Sequence, residues 1–437
     1  MKKFVFALIG AALLLQGCGR PREQVLKVYN WSDYIDESVI EDFEAWYEEQ
    51  TGEPVKVIYQ TFDINETMLS KIKMGKEDFD VVCPSDYIIE QMLQEDLLIP
   101  LEIDETFPDS LNYVSQYLSP YIRSMFDKFE GGGKNANDYA VSYMWGTTGI
   151  LYNAHYVSDE EAASWDVIRN PKFRNRIFIK DSARDVYSQL ILKVKEQEIA
   201  EGKVTIDQLM NYTSDADIAA VEEYMKDVKP LVAGWEADFG KDQMVQELGY
   251  VNLTWSGDGV WAIDEAAELG VELRYALPKE GFTVWFDGWV IPKYAQNTKA
   301  ASYWINFMSR PDIVVRNVEE TGYVSASGAQ EVRDAFTDEE YEPIDLSYFF
   351  SPADTAVCAN PVLYPAREDI ERSTQEHDWG ENTAKLIEMW SRVKGDNASY
   401  LTYIIILVAV LVAAAAIAAN KVRKNRRRRA SMARRRR

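Results

Sequence analysis

Val25-Leu26-Lys27-Val28-Tyr29 alternates apolar and polar side chains, and Asn30-Trp31-Ser32-Asp33 closes it as a turn. Alternation of this kind reads as a short strand, because successive side chains of an extended chain point to opposite faces. Ser38-Val39-Ile40-Glu41-Asp42-Phe43-Glu44-Ala45-Trp46-Tyr47 then repeats apolar residues at helical spacing and stops at Thr51-Gly52. The next strand is Val55-Lys56-Val57-Ile58-Tyr59, followed by a helix over 66–74, a strand over 79–83 and a helix over 87–95. Strand and helix alternating in steps of this length predict an α/β fold with a parallel sheet covered by helices on both faces. Ligand sites in such sheets lie beyond the carboxyl ends of the strands. The loops there, 30–34, 60–65 and 84–87, combine hydroxyls, carboxylates and aromatic rings.

A second α/β stretch starts after Tyr143-Met144-Trp145-Gly146, with strands expected over 176–179 and 250–255 and a helix over 186–198. Lys279-Glu280-Gly281 reads as a linker into the strand Val284-Trp285-Phe286-Asp287-Gly288-Trp289-Val290-Ile291-Pro292, which a helix over 299–308 and a stop at Arg310-Pro311-Asp312 follow. Between the two chain ends lie about 375 residues, enough for two lobes with substantial cores. Residues 18–400 carry 34 basic and 71 acidic side chains, a charge of -37. Such a field repels nucleic acid and favours cationic ligands, and it also serves plain solubility.

The ends have their own reading. Met1-Lys2-Lys3, an apolar run over 4–15 and Leu15-Gln16-Gly17-Cys18 form a secretory signal, too short to span a membrane. Leu-x-Gly-Cys looks like the lipobox of bacterial lipoproteins, with Cys18 the acylated first residue of the mature chain; the alternative is an ordinary signal with a chance cysteine. At the other end 19 uncharged residues, 401–419, precede eleven Lys and Arg. At ~1.5 Å per residue the run covers about 28 Å, one hydrocarbon core, and the positive tail belongs on the cytoplasmic side. The chain between is expected outside the cytoplasm, held at the cell membrane.

Signals for enzymatic chemistry are thin. The two histidines, His155 and His377, are in no metal-like spacing and beside no nucleophile, so no catalytic residue, metal or cofactor is expected. Gly131-Gly132-Gly133-Lys134 lacks the phosphate-loop pattern and reads as a flexible loop, and Gly257-x-Gly259 is equally weak. Cys83 sits in an apolar run as a small buried hydrophobe, and whether it pairs with Cys358 is left open. What stands out is aromatic residues beside acids at strand ends: Trp31 with Asp33 and Tyr34, Trp255 with Asp258, and Trp285 with Asp287. A linear amine needs both partners, because its ammonium groups must be paired on burial while its methylenes need flat apolar walls. A ring face adds ~0.5 to 2 kcal/mol for each cation placed over it.

With these motifs in order, the chain resembles the periplasmic spermidine- and putrescine-binding proteins of bacterial ABC importers. Its markers are Tyr29-Asn30-Trp31-Ser32-Asp33-Tyr34, Asn65-Glu66-Thr67-Met68, Phe79-Asp80-Val81-Val82-Cys83-Pro84-Ser85, Tyr143-Met144-Trp145-Gly146-Thr147-Thr148-Gly149, Asp181-Ser182-Ala183-Arg184-Asp185-Val186, Trp255-Ser256-Gly257-Asp258, Trp285-Phe286-Asp287 and Arg310-Pro311-Asp312. The resemblance implies a two-lobed periplasmic-binding-protein type II-like fold that closes on its ligand by a hinge, to which the 401–419 span is an unusual addition. It implies lobe 1 over 26–146 and 285–330 and lobe 2 over 147–284 and 331–396, while the reading of the ends adds a signal peptide 1–17, a lipidated tether 18–25, the transmembrane helix 401–419 and a basic cytoplasmic tail 420–437. By the same resemblance Trp31, Ser32, Asp33, Tyr34, Ser85 and Tyr87 line one side of the cleft. Asp185, Trp255, Asp258, Trp285, Asp287 and Tyr323 complete it, with Asp287 as the principal counter-ion of the amine. Ser182, where spermidine-preferring relatives carry an aspartate, and Gly380, in place of a polar contact, tilt the expectation to putrescine. The implied partners are a polyamine and an ABC permease with its ATPase, and the binding protein is expected to be a monomer. A polyamine sensor without a transport role, or a surface hydrolase, are the alternative readings.

Overall fold

A computed structural model describes residues 21–75, 77–350 and 356–395. The signal over 1–17, Cys18 and the tether up to residue 20, the 401–419 span and the 420–437 tail lie outside the described residues. Among the described residues no helix is long and apolar enough to cross a membrane. The chain forms one large unit to Leu386 and a second from Ile387, whose described part is the end of the helix Asn382–Lys394.

The large unit is built on β1 (Val25–Trp31), β2 (Lys56–Phe62), β3 (Val81–Val82), β4 (Ala140–Asn153), β5 (Ile177–Lys180), β6 (Val232–Glu236), β7 (Val251–Trp255), β8 (Leu273–Ala276), β9 (Phe282–Val290), β10 (Val324–Ser325) and β11 (Ser373–Thr374). Their hydrogen-bonded order is β2-β1-β3-β9-β4-β7-β5-β6, with β8 and β10 on β4 and β11 on β9. The helices that position the site are α1 (Val39–Thr51), α2 (Asn65–Met74), α3 (Asp86–Gln94), α4 (Ala183–Val194), α5 (Ser256–Glu268), α6 (Thr298–Phe307) and α7 (Pro311–Thr321). Helix α1 ends as expected, with Gly52 at φ 72°, a left-handed turn that costs a residue without Cβ little.

Two long strands tie two lobes together. The first half of β4 pairs with β9 and β10, while its second half pairs with β7 and β8. Strand β9 runs antiparallel to β4 from Val284↔Thr147 to Val290↔Ala140 and touches β3 at its far end. The sheet is therefore mixed, not all-parallel: β1 is parallel to β2 and β3, β5 to β6 and β7, and β9 to β11, but β4 runs against β7, β8, β9 and β10, and β9 against β3. All fourteen residues of β4 are buried. A strand covered on both faces loses the alternation that marks a half-exposed one, which is why the full course of β4 carries no period in the sequence.

The first lobe's core packs Val28, Val39, Phe43, Trp46, Trp289, Trp304 and Phe307 together, each buried side chain contributing about 1.5–3 kcal/mol. Two expectations change, and the open question of the cysteines is answered. Gly131-Gly132-Gly133-Lys134 is the turn of a hairpin that pairs Glu130–Gly131 with Lys134–Asn135, not a flexible loop. Lys279-Glu280-Gly281 is a packed turn, in which the buried Glu280 accepts from Lys193 Nζ at 3.0 Å. Cys83 and Cys358 are both free thiols.

Candidate ligand-binding cleft

Trp285 and Asp287 are two residues apart on β9, so they share one face of the sheet. The register of β9 against β4 slips between Asp287 and Gly288, and such a bulge bends the strand and re-aims its side chains. Asp287 thereby meets two hydroxyls from the first lobe. Ser85 Oγ, at the start of α3, donates to Oδ1 at 2.6 Å, and Tyr34 Oη, from the loop after β1, donates to Oδ2 at 2.7 Å. No cation pairs with it among the described residues. Burial raises its carboxyl to about 7; the two hydroxyls oppose this only in part, and the negative field of Asp185 adds to it.

Aromatic rings enclose this end. Trp285 is buried and lies 5.7 Å from Tyr323, which meets Tyr34 at 5.0 Å. Tyr323 can take that place because residue 257 is glycine: a Cβ there would lie 2.2 Å from the tyrosine ring. The weak Gly257-x-Gly259 motif is thus a close-packing device on α5. Trp31 packs on Phe62 at 4.6 Å and meets Trp255 edge to face at 6.2 Å. The indole N–H groups of Trp31 and Trp285 are buried without a partner among the described residues, and an orphaned donor of this kind costs about 1–3 kcal/mol.

Further acids stand beside the rings. Ser182 caps α4 by accepting from the Asp185 amide at 3.3 Å, and Trp255 Nε1 donates to Asp185 Oδ1 at 3.3 Å. Loss of hydration raises the Asp185 carboxyl. Glu376, in the segment after β11, is buried with Oε1 unpartnered among the described residues. Burial and then the nearby Asp185 push it up to about 8, against the pull of Arg184. Tyr87 Oη accepts from Asn65 Nδ2 at 3.1 Å and donates to Glu66 Oε1 at 3.3 Å, and its ring lies 4.3 Å from the Arg184 guanidinium.

Asp258 has a different surrounding. Lys180 Nζ donates to its Oδ2 at 2.6 Å, Tyr323 Oη donates to its Oδ1 at 3.0 Å, and Lys241 Nζ lies 3.5 Å from Oδ1. Burial alone would raise this carboxyl, but Lys180 and Lys241 outweigh it and hold it below its ordinary value. Asp33 is exposed, 3.8 Å from Lys241, and Ser32 turns to Asp63 at 2.7 Å. The structure thus joins Trp31, Tyr34, Ser85, Tyr87, Asp185, Trp255, Asp258, Trp285, Asp287 and Tyr323 in one contact network, and leaves Ser32 and Asp33 at its edge.

Glu376 and Lys180 were not anticipated. Nothing in Thr374-Gln375-Glu376 marks a site; only the pairing of Thr374 with Thr283 on β9 carries Glu376 there. Lys180 did leave a signal, as a lysine closing the apolar strand Ile177-Phe178-Ile179, where a buried ammonium requires acidic partners. No group of His, Cys, Asp and Glu among the described residues is arranged to hold a metal.

Two α/β lobes tied by long strands, with buried acidic and aromatic residues gathered at the strand ends, suit a solute-binding protein, and the family match gives that class and not an enzyme. The chain belongs to the bacterial extracellular solute-binding protein family, whose model matches residues 39–340. It is 27% identical over 398 residues to the spermidine/putrescine-binding periplasmic protein of Salmonella typhimurium, covering 90% of this chain and 99% of that one. It is also 27% identical over 350 residues to the putrescine-binding periplasmic protein PotF of Escherichia coli, covering 75% and 85%. Among solved structures it matches PotD, the substrate-binding protein of a spermidine/putrescine ABC transporter from Streptococcus pneumoniae, with a TM-score of 0.61 and 27% identity over 85% of this chain and 98% of that one.

Proposed function

We propose that this chain captures a polyamine, putrescine ahead of spermidine, outside the cytoplasm and delivers it to an ABC permease driven by a separate ATPase. One observation carries the reading: Asp287, two residues from Trp285 on β9, is a buried carboxyl held by two neutral hydroxyls, with no cation of its own among the described residues. A carboxylate in that state gains most from an incoming ammonium, because the ligand supplies the counter-charge that the fold does not. Trp31, Trp255 and Trp285 serve as walls for the methylene chain, and Ser85, Tyr34, Tyr87 and Tyr323 orient the acids. Asp185, with Glu376 beside it, receives the second ammonium.

The lobes, 26–146 with 285–330 and 147–284 with 331–396, close about the crossings inside β4 and β9. Acylation at Cys18 and the 401–419 span hold the monomeric binding protein at the membrane, and mass spectrometry of the mature amino terminus tests the first of these. Isothermal titration of the chain with putrescine, cadaverine, spermidine and spermine tests the ligand class. Saturable one-to-one binding led by a diamine is the expected result, and no heat with any of the four refutes the amine reading.

A further inference from the structure

Lys180 is fully buried, an uncommon place for a lysine, and its ammonium is held on four sides. It lies 2.6 Å from Asp258 Oδ2, 3.3 Å from Glu236 Oε2 and 2.9 Å from the Ala237 carbonyl, and 4.1 Å above the centre of the Trp255 ring. That set of contacts, two carboxylates and an indole face, is what an ammonium ligand requires. Both Asp258 oxygens are also in use, since Tyr323 and Lys241 approach Oδ1 while Lys180 and Thr254 approach Oδ2. The same indole also reaches the proposed cleft, where Trp255 Nε1 meets Asp185 and the ring meets Trp31.

We infer that Lys180 is a specificity-determining residue: its ammonium is a built-in cation that fills the Trp255–Asp258 position and closes that end of the cleft to an ammonium of the ligand. The ligand is then confined to the span from Asp287 to the Asp185 and Glu376 carboxylates, which takes two charges and rejects a third. Lys180 keeps its proton there, for although burial disfavours the charge, Asp258 and Glu236 more than restore it.

This inference rests on the amine-binding reading above, and its test separates the two. Lys180→Met combined with Glu236→Gln empties the position without stranding a second buried carboxylate, and Lys180→Gln is a milder single change that can still donate to Asp258. Each folded variant, checked by its thermal melt, is titrated beside the native chain with 1,3-diaminopropane, putrescine, cadaverine and spermidine. The expected result is a shift of about tenfold or more in the spermidine-to-putrescine affinity ratio toward the triamine. A merely structural role would move all four amines in parallel, and a parallel change, or none, overturns the inference. If the native chain binds no amine, the amine reading fails, and the variants are still read for a gained titration: a gain supports the role of Lys180 and its absence refutes it. A crystal structure of the native chain grown with putrescine gives a check that needs no variant. Lys180 is expected to stay on Asp258, and a ligand ammonium within hydrogen-bond distance of Asp258 overturns the inference.

Discussion

Asp287 and Asp258 are the same residue, equally buried at 4% and 3% exposure, and their carboxyls are pushed in opposite directions. Among the described residues the Asp287 carboxyl meets two hydroxyls and rises to about 7, whereas Asp258 meets two lysines and falls. Burial penalises both charges alike; the partner decides the outcome. A neutral donor orients a carboxylate without neutralising it and leaves the charge for a ligand. An ammonium donor completes it and turns it into a structural element. Under the amine-binding proposal the two aspartates divide one cleft into a receptive end and a closed end.

The largest expected effect breaks the closed end. Asp258→Ala strips Lys180 of its nearer carboxylate and leaves a buried ammonium with Glu236 as its remaining hydrogen-bonded carboxylate, so urea denaturation should read a loss of about 3 kcal/mol. Gly257→Ala attacks the same end through packing. A methyl 2.2 Å from the Tyr323 ring must displace the side chain that donates to Asp258, and overpacking of this kind costs ~1–3 kcal/mol in the same measurement. The receptive end responds in binding instead. Asp287→Asn should weaken putrescine by about tenfold or more, about 1.4 kcal/mol by calorimetry, while the free protein melts no lower, because the change removes a carboxyl that costs energy to ionise. A large loss of stability in Asp287→Asn would erase the contrast between the two ends.

Acidity sharpens the contrast at smaller amplitude. Asp287 holds its proton to about pH 7 in the folded chain and to about 4 when unfolded. Between those values the native state binds more protons, so its contribution lowers stability as pH rises from about 4 to about 7, and is level above that. Asp258 has the opposite sign: its lowered value contributes stability that is present above about pH 4 and lost as acid protonates the folded carboxyl. Denaturation across pH should show a shallower fall in Asp287→Asn than in the native chain, the part that remains belonging to other raised carboxyls such as Glu376. Because an ammonium favours the ionised forms of Asp287 and of Glu376, which holds its proton to about pH 8, amine affinity should rise from pH 6 to about pH 8 with release of protons. Calorimetry in buffers of different ionisation enthalpy reads that release, and an affinity flat with pH would contradict it.

Most elements of the first lobe were legible because their signals are local. Alternation at Val25-Leu26-Lys27-Val28-Tyr29, helical spacing over 38–47 and the stop at Gly52 each depend on neighbours a few residues apart, and the strand and helices formed where the periods placed them. The loops at the strand ends were legible for the same reason, and they bring Trp31, Tyr34, Ser85 and Tyr87 together. The course of β4 was not, since burial on both faces removes the period that would reveal it. Nor was the run Gly131-Gly132-Gly133, where glycines that suggest looseness form the turn of a short hairpin.

By itself the sequence determined the α/β class, the positions of most strands and helices, the acidic balance and which aromatic and acidic residues stand at the strand ends. These follow from backbone periodicity and composition, which the chain carries in consecutive residues. Tertiary structure alone decided the mixed sense of the sheet, the arrival of Glu376 beside Asp185, and the pairing of Asp258 with a lysine 78 positions away. The physical reason is that a carboxylate's state depends on what its oxygens touch after folding. Asp258 and Asp287 read alike in the chain, and only the packed lobes put an ammonium against one and hydroxyls against the other.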